Sequence, residues 1–385
     1  MRTPLAGVRV LDLSRLIPGP FCTLILSDLG ASVDKLEDPQ VGDYLRVFPP
    51  GRRGLSGRFI ALNRDKRSLC LDLKKDEGRR ALLRLIARYD VLVESFRPGV
   101  LDRLGVGYAA LAEVNPRLVM LSISGYGQDG PLRDKAGHDL NYIALGGVLG
   151  LAGPATVPPP TPPIQLADIA GGALFGAVGI LAALYERERT GRGQQVDVSM
   201  CEGALAFLIP DLGNLDASGA IPQRGGEMLN GGAACYGVYR TKDGRFLSVG
   251  ALEPKFWAAF NQKIGRPVDH GELLGDADTQ ARVRAELQAI LETKTRDQWE
   301  ELFVGDVCVE PVLAPDELAQ HPQHRARERF FAVEDMTMTR TPLGRRESHT
   351  APPQLGADSA AILAEAGLSA DEIAALRAAG ITRGS

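Results

Sequence analysis

An α/β fold with an open parallel sheet is what this sequence predicts, and two patterns predict it. Over the first 125 residues, short apolar runs alternate with stretches whose apolar residues recur at helical spacing. Such alternation implies parallel pairing through right-handed crossovers, which places a ligand at the carboxyl ends of the strands. Near Arg224 the pattern changes to a hairpin followed by helices, the mark of a smaller α+β domain.

VRVLDL (Val8–Leu13) reads as the first strand. After Pro18-Gly19-Pro20 comes a helix with Cys22, Ile25, Leu26 and Leu29 on one face, stopped by Gly30. SVDKLE follows as a strand, then SLCLDL (Ser68–Leu73), then a helix carrying Leu82, Leu85, Ile86 and Tyr89. VLVESF (Val91–Phe96), a helix through Leu111 and LVMLSIS (Leu118–Ser124) continue the alternation. Gly153–Pro163 is a proline-rich loop, too stiff and donor-poor for a strand. A glycine-rich helix through Arg189 comes next, then the strand QQVDVSM and a helix from about Cys201 to Leu215. YGVYRTKDGRFLSVGAL is a β-hairpin turning at Asp243-Gly244. Helical stretches run on to about Leu302, and in the tail Ser369 and Glu372 form a capping box ahead of Ile373 and Leu376. The expected division is a large domain beginning with 1–200, a linker helix region over 201–224, a small α+β domain over 225–314, and a return through 315–385 to the large domain.

Composition removes several function classes. With 44 Lys+Arg against 48 Asp+Glu, the 385-residue chain has a balance of -4 and no basic track for nucleic acid. Its 44% hydrophobic and 24% charged residues are those of an ordinary globular protein. The five cysteines are scattered, with no C-x-x-C, so they read as reduced cytoplasmic thiols, and no metal site is expected. MRTPLAGVRVLDLS lacks the apolar core of a signal peptide. The most apolar run, Ile169–Tyr185, holds four glycines and is shorter than the roughly 20 residues of a membrane span; it reads as a buried helix.

Gly125, Gly127 and Gly130 have the spacing G-x-G-x-x-G and follow a strand, but the dinucleotide fingerprint needs more. A helix should open inside the motif, whereas Pro131 follows and PLRDKAG is a loop. From Leu140 to Leu166 there is no acid to take a ribose. The glycines therefore serve sharp turns and close backbone approach rather than a pyrophosphate.

Long blocks of the chain carry a family resemblance. They are LAGVRVLDLSRLIPGPFCTLILSDLGASVDKLE, NRDKRSLCLDLK, VLVESFRPGVLDRLGVGY, SISGYGQDGP, LADIAGGALFGAVGILAALYERERTGRGQQVDVSM and VYRTKDGRFLSVGALEPKFW. Together they resemble the class III CoA-transferase (CaiB/BaiF) superfamily over nearly the whole length, closest to its α-methylacyl-CoA racemase branch. The resemblance implies a Rossmann-like large domain built from both chain ends, a small domain, and an interlocked homodimer. It implies an acyl-CoA substrate, with coenzyme A present only as part of that substrate and no further cofactor.

The resemblance also assigns roles. His138, in AGHDLNY, matches one of two bases in the racemase branch, where transferases commonly have an apolar residue. Asp168, in LADIAGG, reads on its own as a helix N-cap; it matches the second base of racemases and the nucleophile of transferases. A helix N-terminus favours the carboxylate and suits a nucleophile better, unless burial raises the pKa again. Glu253, in GALEP, reads as a helix start and matches the carboxylate that pairs with the racemase histidine. Arg97 in FRPG, and Arg64, Lys66 and Arg67 in NRDKRS, match segments lining the CoA site, where guanidinium forks suit phosphate. Two departures stand out. Asp38 occupies a place often held by arginine, and Ala234-Cys235 replaces a proline and an aromatic. Three readings remain open at this point: racemase, CoA-transferase, and a CoA-binding protein without catalysis.

Overall fold

The computed structural model describes residues 3–344 and 346–384, so Met1 and Arg2 of the N-terminal stretch read above lie outside the described residues. The chain divides into two compact units: 1–146 with 162–207 and 325–385, and 147–161 with 208–324. Residues 147–161, placed above in the large domain, group with the second unit.

The first unit is built on six parallel strands: β1 (Arg9–Asp12), β2 (Ser32–Glu37), β3 (Arg67–Cys70), β4 (Val91–Glu94), β5 (Val119–Ser124) and β6 (Gln195–Ser199). Their spatial order is β3-β2-β1-β4-β5-β6, the doubly wound order of a Rossmann sheet. The order reverses between β1 and β4, and the crevice beyond their carboxyl ends is where such sheets bind ligands. Strands β4 and β5 are buried at every position, as a sheet covered on both faces requires.

Both ends of the chain build this unit. Ile362 and Leu363 of helix Ser359–Glu365, and Ile373 and Leu376 of helix Ala370–Ala378, share one core with Leu11 of β1, Leu69 of β3 and Leu92 of β4. The Ser369–Glu372 capping box opens the last helix as expected.

Other helices include α1 (Pro18–Asp28), α2 (Asp76–Ile86), α3 (Asp139–Leu145), α4 (Phe175–Thr190) and α5 (Met200–Ala206). Helix α4 continues eight wide, π-type residues, Ala167–Leu174. The continuous 24-residue stretch is long and apolar enough to cross a bilayer, longer than its sequence suggested, and half of its most apolar window is buried in the fold. Its glycines serve packing: a Cβ on Gly171 would lie 2.8 Å from the Met200 carbonyl oxygen, and one on Gly203 would lie 2.4 Å from the Gly171 Cα. Two helical backbones touch there, which side chains would forbid.

Two helices expected as single pieces are broken. The helix through Leu111 splits into Val100–Arg103 and Tyr108–Val114 around Gly105, whose φ is +73°. The helix from Cys201 splits after Ala206 and restarts at Ile209, where Pro210 cannot donate into a preceding turn.

The second unit carries a three-stranded antiparallel sheet, with Phe246–Gly250 between Tyr236–Arg240 and Val309–Pro311. The hairpin turns at Asp243-Gly244 as read, with Gly244 at φ +75°. Trp257, Phe260, Trp299 and Phe303 form the centre of its core.

Candidate active site

A cavity of about 760 Å³ opens at the strand-order reversal of the first unit. Segments at the carboxyl ends of three strands line it: Arg15 and Leu16 after β1, Ser95–Pro98 after β4, and Ser124 and Gly125 at the end of β5. Lys135–His138, Asn141, Tyr142 and Asp168 complete the side that carries the titratable groups.

His138 stands immediately before α3, in extended conformation, and its N–H donates to Asn141 Oδ1 at 3.0 Å. This fixes the backbone while the imidazole lines the cavity. Asp168 does not cap its helix: Leu166 occupies that place, and Asp168 lies inside the wide π-type turns, a geometry common at functional sites. Its own N–H donates to Asp139 Oδ1 at 2.9 Å, which brings a second carboxylate beside it. Burial, and then the Asp139 charge, push the Asp168 carboxyl up to about 7. The helix-terminus effect expected to lower it is overridden. Tyr142 is buried between these groups, with its hydroxyl donating to the Gly137 carbonyl and its ring edge-on to Tyr126 at 5.2 Å. Burial and the nearby Asp168 charge raise its phenol to about 12, so it stays neutral.

Asp139→Asn keeps an oxygen to accept the Asp168 N–H but removes the negative charge. The Asp168 pKa then falls toward the ordinary carboxylate range, and any pH-profile limb that reports it moves to lower pH. Titration of the Asp168 carboxyl by NMR checks this; an unmoved pKa overturns it.

The cavity is electropositive. Arg15, Arg97, Arg133 and Lys135 line it, and Asp168 is the one carboxylate among its lining residues. A second cavity of about 360 Å³ shares Arg15, Tyr44 and Phe96 with it and adds Asp38, Asp72 and Lys74. Asp38, standing where arginine was anticipated, accepts the N–H groups of Gln40 and Val41 at 2.9 and 3.1 Å and shapes a turn at that second cavity.

Of the four expected cationic ligands, only Arg97 lines the first cavity. Arg64 is buried in a fork on Asp28, at 2.7 and 2.8 Å, and also meets Asp65 at 2.7 Å. Lys66 is buried on Asp12, Asn63, Thr23 and the Pro20 carbonyl. Arg67 binds Asp34 and Glu365. These three are engaged with protein groups and none lines either cavity. Sequence reasoning missed Arg15, Arg133 and Lys135. Arg15 had a readable signal, since it directly follows the carboxyl end of β1 at the crevice; the two loop cations had none.

Glu253 belongs to the second unit. It precedes helix Pro254–Ile264 with Pro254 first in the helix, as read, and its carboxylate is exposed. A larger cavity of about 840 Å³ also lies in that unit, lined by Gly225, Gly232, Ala281 and Arg284 among others. It offers no acid–base pair: Arg284 donates to the Gly231 and Ala233 carbonyls, and Tyr239 to the Ala234 carbonyl. Cys235 is buried, and burial raises its thiol, so it packs rather than attacks.

The glycine triplet takes the turn geometry read from its sequence. Gly127 and Gly130 have φ of +95° and +78°, and among the described residues no helix opens between Gly125 and α3. The model of CoA-transferase family III matches residues 5–359. The chain belongs to that family. It is 39% identical to α-methylacyl-CoA racemase of Homo sapiens over 377 residues, covering 96% of this chain and 95% of the relative. It is 36% identical to acetyl-CoA:oxalate CoA-transferase of Acetobacter aceti over 378 residues, covering 94% and 95%. The crystal structure of a CaiB/BaiF family protein from Brucella suis superposes with a TM-score of 0.82 at 31% identity, covering 95% of this chain and all of that one. Family III proteins are enzymes acting on CoA thioesters, and both racemases and transferases stand among the relatives of this chain.

Proposed function

We propose that this protein is an acyl-CoA racemase or epimerase that moves a proton at the α-carbon of a 2-methylacyl-CoA thioester. The observation that carries the reading is that His138 and an Asp168 titrating near 7 line one cavity. One group takes the α-hydrogen from one face of the substrate, leaving an enolate. The other, protonated, returns a proton to the opposite face. Each group must both hold and release a proton near neutrality, and an aspartate of ordinary acidity could not. The enolate oxygen needs nearby donors, which the backbone N–H groups around the glycine turns would supply. Glu253, the carboxylate that the resemblance pairs with the racemase histidine, lies in the second unit, and the proposal does not rest on it. No electrons change hands, so the chemistry calls for no redox cofactor.

The four lining cations fit the phosphates of coenzyme A, with Arg97 foremost. The second reading is a CoA-transferase in which Asp168 is the nucleophile. A raised pKa favours proton transfer over nucleophilic attack, because at neutral pH part of the population holds a proton. Incubating a 2-methylacyl-CoA in deuterium oxide without an acceptor acid separates the two. The racemase incorporates deuterium at the α-carbon; no incorporation, with turnover appearing only on adding a carboxylic acid, overturns the proposal in favour of the transferase.

We also propose that two copies pair. The stretch leading into and along α4 exposes Leu174, Phe175, Val178 and Tyr185, an apolar face that a partner copy would cover. Sedimentation should give a mass near twice 41.2 kDa, and a monomer at micromolar concentration overturns this.

A further inference from the structure

The turn from Ser14 to Leu16 is strained and heavily tied. Leu16 has φ +63°, a left-handed conformation that a leucine seldom adopts. Buried charges grip both sides of the turn. Asp12 accepts the Ser14 N–H at 3.0 Å and the Ser14 hydroxyl. Lys35 donates to the Ser14 carbonyl at 2.8 Å. Asp43 Oδ1 accepts the Leu16 N–H at 3.1 Å and the Leu45 N–H at 3.0 Å. Lys35 and Asp43 form an ion pair at 3.1 Å, and Lys66 closes the cluster on Asp12 at 3.0 Å. Between the gripped residues, the Arg15 N–H donates to Ser95 Oγ at 3.1 Å.

Lys35, Asp43, Asp12 and Lys66 are all at most 4% exposed. Burying four charges costs free energy that apolar residues of similar size would not. A cluster of this kind is poor stabilisation, so what it fixes matters more than what it adds. What it fixes is Arg15. That guanidinium lies over the Tyr44 and Phe96 rings at 5.3 Å from each, bonds the Tyr44 hydroxyl at 3.2 Å, and has no ion-pair partner among the described residues. It lines both cavities of the crevice. The neighbouring helix α1 gives such an arginine a role. It opens with Pro18 and Pro20, which lack N–H groups, and the Phe21 N–H is spent on the Ile17 carbonyl. The first three positions of this helix end keep one amide, that of Gly19, so it lacks the row of N–H groups that usually cradles a phosphate at this place.

We propose that the buried Lys35–Asp43 pair is a positioning device: it holds the Ser14–Leu16 turn so that Arg15 takes the phosphates of the nucleotide part of the substrate in place of helix amides. The proposal rests on the CoA-thioester reading above. Lys35 and Asp43 act through Arg15 and touch no substrate.

Calorimetry on the full chain with free CoA, and with pantetheine, which lacks the nucleotide, tests it. Arg15→Gln weakens CoA tenfold or more and leaves pantetheine within twofold. Lys35→Met reproduces that selective loss, and the double variant binds CoA no more weakly than Arg15→Gln alone. Additive losses, an equal loss for pantetheine, or unchanged CoA binding by Lys35→Met overturns the proposal. Where Lys35→Met does not fold, Asp43→Asn decides on the same criteria, because it keeps the acceptor for Leu16 and loses only the charge. A parent protein that binds no CoA instead removes the reading of the site on which the proposal stands.

Discussion

Replacing His138 by alanine abolishes interconversion of the two substrate enantiomers, with a loss of about 10³-fold or more, the scale of general acid–base catalysis, while Asp168 can still exchange the α-hydrogen of one enantiomer with solvent. The transferase reading predicts otherwise, because Asp168 would still form its acyl intermediate and turnover with an acceptor acid would persist. Asp168→Asn abolishes activity under either reading, so the His138 variant is the one that separates them. The pH dependence adds a second check. Each direction of racemisation needs one proton in total on the pair, so both enantiomers share one bell-shaped profile. On the acid side both groups are protonated and no base is left; on the alkaline side neither can donate. An Asp168 near 7 brings its own limb of that profile to neutrality. Activity rising monotonically with pH, or interconversion of the enantiomers surviving in His138→Ala, sinks the two-base mechanism.

The architecture was legible where it depends on neighbours in sequence. Apolar runs gave the strands, and the Asp243-Gly244 dipeptide gave the hairpin, because backbone preference and side-chain period are local properties. The order β3-β2-β1-β4-β5-β6 was not legible, since pairing of β1 with β4 joins residues some eighty positions apart. The same distance explains the site. His138 and Asp168 were found through resemblance, but the state of Asp168 depends on burial and on Asp139, which the fold brings to its amide. At NRDKRS resemblance and charge together pointed to phosphate, and the fold instead engages these cations with carboxylates. Arg64 and Lys66 look like surface cations until Asp28 and Asp12 arrive from other elements to bury them. Lys66 is tied to Asp12, Asn63, Thr23 and the Pro20 carbonyl, where burial and Lys35 outweigh Asp12 and lower its ammonium to about 8.

Arg64→Met should destabilise the fold by about 3–5 kcal/mol, the cost of leaving a buried charge without its partner. Arg64 is 1% exposed, and its fork satisfies both oxygens of Asp28 while one nitrogen also serves Asp65 and meets His349 Nδ1 at 3.1 Å. Asp28 in turn accepts the Thr341 hydroxyl at 2.6 Å, and Phe331 lies against the guanidinium, so this cation ties α1 to the returning C-terminal segment. Methionine fills the volume but leaves Asp28 and Asp65 short of a cation. The sign of the pH effect follows. In the parent, burial alone would raise the Asp28 carboxyl, but the Arg64 bonds and charge outweigh it and hold the pKa low. The stability Asp28 contributes is therefore present above the unfolded carboxyl value and lost as pH falls through the folded one. In the variant the unpaired carboxyl can protonate and shed its charge, so the difference between the two proteins narrows as pH falls toward about 4. Urea unfolding at pH 7.5 and pH 4.5 measures both effects. Had Arg64 been a phosphate ligand, its loss would instead leave the unfolding midpoint in place and weaken CoA binding, and that result would return it to the substrate site.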